Sequence, residues 1–168
     1  MPENNLIENL IKTLQYEYKT YLDILEIVER KTDCLIKNDT AALINITEEE
    51  KTSAERTTQL NQLREKLLLE FCQETNLDYK TLTIDDIKKQ VKEPYKKPLD
   101  DIHTKLKSVV EKLSYRNGMN QKLIENAINT INFNIQLIAS PQPAVPLYGR
   151  SGQEVSHNTK RSMLDVKY

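Results

Sequence analysis

The sequence contains few of the residues that build tight turns, and this scarcity limits the fold. Its 168 residues include three glycines and no tryptophan, and Gly118 is the only glycine before residue 140. Because glycine is the usual residue of tight hairpin turns, a β-rich domain of this length would need many more. We therefore expect neither an all-β fold nor a doubly wound α/β fold, and the length suits a single domain.

The sequence also lacks an excess of one charge and a long apolar run. It has 24 Lys and Arg against 25 Asp and Glu, whereas a general nucleic-acid binder needs a basic surplus. No apolar run exceeds four residues, which excludes a transmembrane helix. The N-terminal residues Met1-Pro2-Glu3-Asn4 are not basic and precede no apolar core, so we expect no secretory signal and a cytoplasmic location.

Candidate catalytic and metal-binding residues are scarce. Cys34 and Cys72 are the only cysteines, and without a secretory signal they should be reduced and structural. The only histidines, His103 and His157, do not lie at a metal-ligand spacing from them. The sequence has no phosphate-binding loop and no nucleophile elbow. We expect neither an enzyme nor a bound metal or cofactor.

Two charge-rich stretches indicate solvated surface. The run Glu48-Glu49-Glu50 favours a solvated helix face over a catalytic carboxylate pair. Eight lysines between residues 88 and 112 alternate with acidic residues, which favours a mixed surface over a nucleic-acid patch.

Hydrophobic spacing predicts two long helices. In the first, mostly apolar side chains recur in steps of four and three over residues 7–35, as in the a/d stripe of a heptad. Asn5 and Glu8 resemble a capping box at its start. Asp39 is a good N-cap for a second helix over residues 40–73. Two helices of about 50 Å each, joined by a short turn, predict an antiparallel hairpin.

The hairpin has two further consequences. The second helix has a polar centre over residues 48–53, which requires packing at both ends or solvation of the centre. Cys34 would lie near the turn and Cys72 at the opposite end, far beyond the reach of a disulfide.

A connector and a third long helix follow. Within residues 74–98, Thr83 and Asp86 can cap a short helix. The last helix should begin near Tyr95 or Pro98 and end at Ala139. Asn117-Gly118 is normally a turn signal, but the apolar spacing continues through it. One weakened helix is favoured, and two shorter helices bent at Gly118 are the alternative.

Residues 140–168 differ in composition from the rest of the chain. Prolines, glycines and small polar residues predict a flexible tail. A small apolar cluster ends it, formed by Met163, Leu164, Val166 and Tyr168. The sequence thus predicts an all-α protein: an elongated antiparallel bundle or coiled-coil hairpin with a third long helix over residues 1–139, followed by the tail.

The stretch 117–139 has the strongest functional signal. At the chain's average of 29% charged residues it should carry about seven charges, but it carries two, Lys122 and Glu125. A second apolar stripe runs beside the isoleucine stripe, through Met119, Leu123, Ala127, Thr130, Phe133 and Leu137. Such a helix is covered on more than one face. Either both stripes are buried in the bundle or a homodimer, or one stripe receives a partner helix.

Three groups of residues, taken in order, resemble the FlgN family of flagellar export chaperones. The first is Tyr21-Leu22, then Leu35-Ile36-Lys37-Asn38-Asp39-Thr40-Ala41-Ala42-Leu43, Glu49 and residues 60–64. The second is Asn117, Asn120, Leu123-Ile124 and the isoleucines after them. The third is Leu147-Tyr148-Gly149-Arg150-Ser151-Gly152-Gln153, with Met163-Leu164-Asp165-Val166-Lys167. The resemblance covers most of the chain, and the connector 74–98 matches poorly.

The resemblance implies a non-enzymatic cytoplasmic chaperone that uses no cofactor. Such proteins bind the helical C-terminal segment of hook-associated (hook–filament junction) proteins and then dock on the cytoplasmic domain of the export gate. The matching tail tyrosine, which implies a gate contact, is Tyr148. A client helix would contact the second stripe and the tail cluster, at Met119, Leu123, Phe133, Leu137, Met163 and Leu164. A self-associating structural coiled coil, or a regulator that binds another protein through its tail, is the alternative, and a weak homodimer is compatible with the chaperone.

Overall fold

The computed structural model describes residues 4–139 and the backbone of 147–148 and 154–155. This part of the chain contains the helices α1 (Asn4–Lys37), α2 (Thr40–Thr75), α3 (Ile84–Gln90) and α4 (Glu93–Ala139), and the two-residue strands β1 (Leu147–Tyr148) and β2 (Glu154–Val155). The predicted helical fold is confirmed. The chain divides into two compact units, Met1–Leu123 and Ile124–Tyr168.

A two-residue turn joins α1 to α2, as predicted. Asn38 adopts the left-handed conformation with φ of 54°, which ends α1 and reverses the chain. Asp39 then caps α2, because its side chain accepts a hydrogen bond of 3.0 Å from the amide of Ala42. The predicted capping box at the start of α1 is wrong: α1 begins at Asn4, so Asn5 lies inside the helix.

The main apolar core lies where four helices meet. We call it the Phe71 cluster, because Phe71 on α2 is fully buried at its centre. Residues of α1, α2, α3 and α4 and the residue after α3 contribute to it: Leu6, Ile7, Leu10, Ile11, Leu67, Phe71, Ile87, Val91 and Leu99. Thr83 and Asp86 form the predicted capping box of α3, which holds Ile87 in this core.

Polar contacts at two places align α4 with α1. Near the start of both helices, the hydroxyl of Tyr95 donates to Glu8 at 2.9 Å. Near the end of α1, the amide of Asn120 donates to the carbonyl of Val28 at 3.0 Å, and its Oδ1 lies 2.7 Å from the hydroxyl of Thr32. Because the start of α4 lies beside the start of α1, the two helices run parallel. Helix α4 therefore runs antiparallel to α2.

Ion pairs connect α1 to α2, two of them at the polar centre of α2 and one nearer its C-terminal end. Arg30 pairs with Glu49, Lys31 pairs with Glu50 at 2.8 Å, and Arg64 pairs with Glu17 at 2.9 Å. Two members of the acidic run predicted as a solvated face therefore bind cations on the neighbouring helix, although Glu49 itself stays exposed. These contacts explain how a helix with a polar centre remains packed.

Glu17 is a carboxylate inside the bundle. Its side chain is 1% exposed, and one oxygen, Oε1, has no hydrogen-bond partner in the described residues. Burial raises its pKa, whereas the charge and hydrogen bond of Arg64 lower it to a smaller extent. Ionised Glu17 therefore costs free energy in the folded state, because removing a charge from water is only partly offset by one ion pair.

The last long helix is one helix, which confirms the favoured interpretation of Asn117-Gly118. A side chain at Gly118 would meet no atom within 4 Å, so packing does not require glycine there. In the second unit, residues 124–139 are helical and β1 pairs antiparallel with β2, Leu147 opposite Val155 and Tyr148 opposite Glu154. The sequence did not predict this pairing.

Phe71→Ala should lower the free energy of unfolding by about 3–5 kcal/mol, because it leaves a cavity where the helices meet. Leu69→Ala is the matched control on the same helix, since Leu69 is 42% exposed, and should cost less than about 1 kcal/mol. Urea unfolding followed by circular dichroism measures both. Equal losses of unfolding free energy in the two variants would contradict the assignment of Phe71 to the centre of the core.

Glu17→Gln should change how stability depends on pH. Burial raises the pKa of Glu17 above its ordinary value, so the cost of ionisation is present above the folded-state pKa and disappears as pH falls through it. The free energy of unfolding of the wild type should therefore rise relative to Glu17→Gln as the pH falls from neutral toward the ordinary pKa of glutamate, about 4.3. Glu65→Gln, on the exposed side of α2, is the control. A wild-type-to-variant difference that stays constant over this range would show that Glu17 is not destabilised by burial.

Candidate functional site

The residues predicted to bind a client lie in three environments. Phe133 and Leu137, one helical turn apart on α4, are 59% and 60% exposed. Met119 and Leu123 are half-buried in the first unit. Met163 and Leu164 lie outside the described residues, and of Tyr148 the structure describes the backbone in β1.

The isoleucine stripe is only partly core. Leu99, Ile102, Val109 and Leu113 on α4 are buried, as predicted. Four isoleucines of the same stripe are 50–67% exposed: Ile128, Ile131, Ile135 and Ile138. Of the two alternatives left open by the sequence, burial of both stripes within the bundle is therefore wrong for these residues. The scarcity of charged residues over 117–139 could have identified these isoleucines as part of the candidate site, because charge is as scarce around the isoleucine stripe as around the second stripe.

The exposed apolar side chains lie on two sides of one helix. We call residues 124–139 the neutral helix. At about 100° per residue, Ile124, Ile128, Ile131, Ile135 and Ile138 share one face. Phe133 and Leu137 lie more than about 100° around the axis from it. Glu125 is its one charged residue. Asn132 and Asn134 occupy positions between the two apolar faces, and Asn126 and Asn129 lie on the side of Phe133 and Leu137.

This surface suits a neutral, mainly apolar partner. Apolar patches of more than a few hundred Å² are uncommon on monomeric proteins and mark interaction sites. Isoleucine and phenylalanine side chains gain free energy when a partner removes them from water, and asparagine amides can bond to polar groups at the edge of a contact. With so little charge, the neutral helix offers little electrostatic selection.

The few candidate metal-binding and nucleophilic side chains can be placed in the described part of the chain. They contain no group of three or more His, Cys, Asp and Glu side chains arranged to hold a metal ion. His103 is exposed on α4. Both thiols are free, as predicted, and burial, with a smaller contribution from Asp78, raises the pKa of the Cys72 thiol, which makes it less reactive.

No helix in the described part of the chain is long and apolar enough to cross a membrane.

Comparison with known proteins gives one clear result. A family model described as FlgN protein matches residues 1–156, which include all four helices and both short strands. No curated protein matches significantly, and neither does any solved structure. The match covers far more than half of the chain and includes the hairpin turn, the asparagine-rich helix and residues 147–153 of the tail, whereas Met163–Lys167 lie beyond it. The chain therefore belongs to the FlgN family of flagellar export chaperones.

Proposed function

We propose that this chain binds the helical C-terminal segment of hook–filament junction proteins in the cytoplasm, prevents their premature assembly and delivers them to the flagellar export gate. Family membership supports a flagellar chaperone role in general. The observation that carries the specific proposal is the exposure of large apolar side chains along the neutral helix.

The client contact has a physical basis in the neutral helix. A segment that polymerises through an apolar helical face needs that face covered before export. Phe133 and Leu137 supply exposed anchors one turn apart, and an amphipathic helix presents matching side chains at the same spacing. Met119 and Leu123 of the first unit, and Met163 and Leu164 of the tail, are further proposed client contacts.

The exposed isoleucines add a contact area that the sequence did not assign to the client. They lie on a different side of the same helix from Phe133. A client could therefore cover the neutral helix from more than one direction, which favours a client segment with two apolar helices or a broad apolar face.

A self-associating protein is the second candidate, and one observation favours it. The spacing of Ile124, Ile128, Ile131, Ile135 and Ile138 in steps of four and three is that of a coiled-coil seam. Isoleucine at both seam positions favours assemblies of more than two strands. Light scattering of the chain alone over a range of concentrations separates the two: a stable oligomer that hides the isoleucines supports self-association, and a monomer or weak dimer supports the chaperone.

Phe133→Ala should weaken capture of a junction protein. Loss of a well-buried interfacial aromatic costs about 2 kcal/mol, or roughly 30-fold in Kd. Because Phe133 is 59% exposed in the free chain, helicity and the urea midpoint should not change. Tyr115→Ala is the control, an exposed aromatic on the same helix.

Calorimetry with purified junction proteins gives Kd, and circular dichroism gives helicity. Unchanged binding would remove Phe133 from the interface. If helicity fell together with binding, Phe133 would be needed for the fold and the interface assignment would be wrong.

Tyr148→Ala should leave folding and client binding unchanged and should weaken binding of the client-loaded chaperone to the cytoplasmic domain of the export gate. A tyrosine supplies a large apolar ring and a hydroxyl, which suits an anchor in a transient contact. Tyr148→Phe separates the two contributions, and Leu147→Ala is the neighbouring control. Calorimetry with client present measures the effect, and equal gate binding by Tyr148→Ala and wild type would remove Tyr148 from delivery.

A further inference from the structure

A groove between the parallel helices α1 and α4 lies within the first unit and is independent of the neutral helix. It encloses about 290 Å³, near the lower end of the range of small-molecule pockets. Helix α1 supplies Tyr18, Leu22 and Leu25, and helix α4 supplies Thr104, Lys105, Ser108, Val109 and Lys112. Its size and its position between two helices suit the side chains of a docked segment rather than a small molecule.

The floor of the groove is apolar and partly open to solvent. Leu22 is 42% exposed although its helix neighbours Tyr18 and Leu25 are half-buried. Val109 is buried beneath them. This stripe on α1 follows the i, i+4, i+7 spacing on which helix-in-groove recognition depends.

The α4 rim of the groove is positively charged. Lys105 and Lys112 lie two turns apart, about 10 Å along the helix axis. No acidic side chain lines the groove, and neither lysine forms an ion pair with a described residue, whereas Lys88 on α3 and Lys96 near the start of α4 do.

The acidic residues near this rim lie outside the lining of the groove. At one end of the groove Glu29 pairs with Arg116 at 3.6 Å, so that turn is already balanced. Asp101, one turn before Lys105, and Glu111, beside Lys112, lie outside the lining residues. The lining itself therefore carries two positive charges and no negative one.

We propose that this groove docks an acidic amphipathic helix of another protein. Its leucine-type side chains would cover Leu22 and Leu25, and two carboxylates seven residues apart would reach Lys105 and Lys112. Charge complementarity would select this partner and speed its association, and the binding would weaken with salt because the rim is exposed. The lining of the groove includes no residue of the neutral helix.

The test uses the full-length chain and synthetic amphipathic helices of about 20 residues, long enough to span the groove. The probe peptide carries a leucine stripe and glutamates seven residues apart, and a matched peptide carries glutamine in their place. Fluorescence anisotropy measures Kd at low and higher salt. Methyl NMR locates the bound peptide on Leu22, Leu25 and Val109 or on the isoleucines of the neutral helix.

The acidic peptide should bind more tightly than the glutamine peptide, and the Lys105→Glu, Lys112→Glu double variant should weaken it about tenfold, since two attractions become repulsions. Lys107→Glu, exposed on α4 and outside the groove, should have little effect. The methyl shifts should fall on the groove. Circular dichroism should show that all variants keep wild-type helicity.

Several results would overturn the proposal. These are equal binding of both peptides, equal effects of Lys107→Glu and the double variant, and shifts confined to the neutral helix. If the groove methyls shift on dilution of the chain without peptide, the occupant is a second copy. If vesicles of anionic lipid compete with the peptide and neutral vesicles do not, the groove recognises a membrane surface rather than a helix.

Discussion

The Phe71 cluster is the interaction on which the rest of the first unit depends. It is where apolar side chains of four helices meet, and it places the start of α4 beside the start of α1. From there α4 follows α1 as far as Asn120, which bonds to the carbonyl of Val28. Apolar burial supplies the free energy at this end, and directional polar contacts set the register along the remaining length.

Polar contacts between the long helices favour specificity over stability. Glu17 is buried with one unpartnered oxygen, and replacing a buried ion pair by apolar residues often stabilises a protein. Arg64, Lys31 and Arg30 nevertheless each meet one acidic residue on the facing helix. A shift of α2 along α1 would break these pairs, so they favour one alignment of a hairpin whose apolar repeat alone permits several.

Along α4, apolar side chains change from buried to exposed where the amino-acid composition changes, although the helix itself continues. Buried positions on α4 up to Leu113 are surrounded by charged residues that keep the outer face in water. From Ile124 onward asparagine replaces charge, and isoleucine and phenylalanine side chains are exposed. The neutral helix therefore presents apolar side chains and amides with one charged residue among them.

Local chemistry allowed the sequence to determine helix type and most helix ends. Asp39 and the Thr83–Asp86 pair cap their helices through side chains a few residues away, and periodic apolar spacing is a property of one helix. Tertiary structure decided the rest. In α4, apolar residues recur in steps of four and three both before and after Ile124. Their spacing could therefore not reveal which turns of the helix are buried by α1 and α2 and which are exposed. Burial of Glu17, the bond from Asn120 to Val28 and the lysine-rimmed groove depend on residues distant in sequence, whose meeting is set by how whole helices pack.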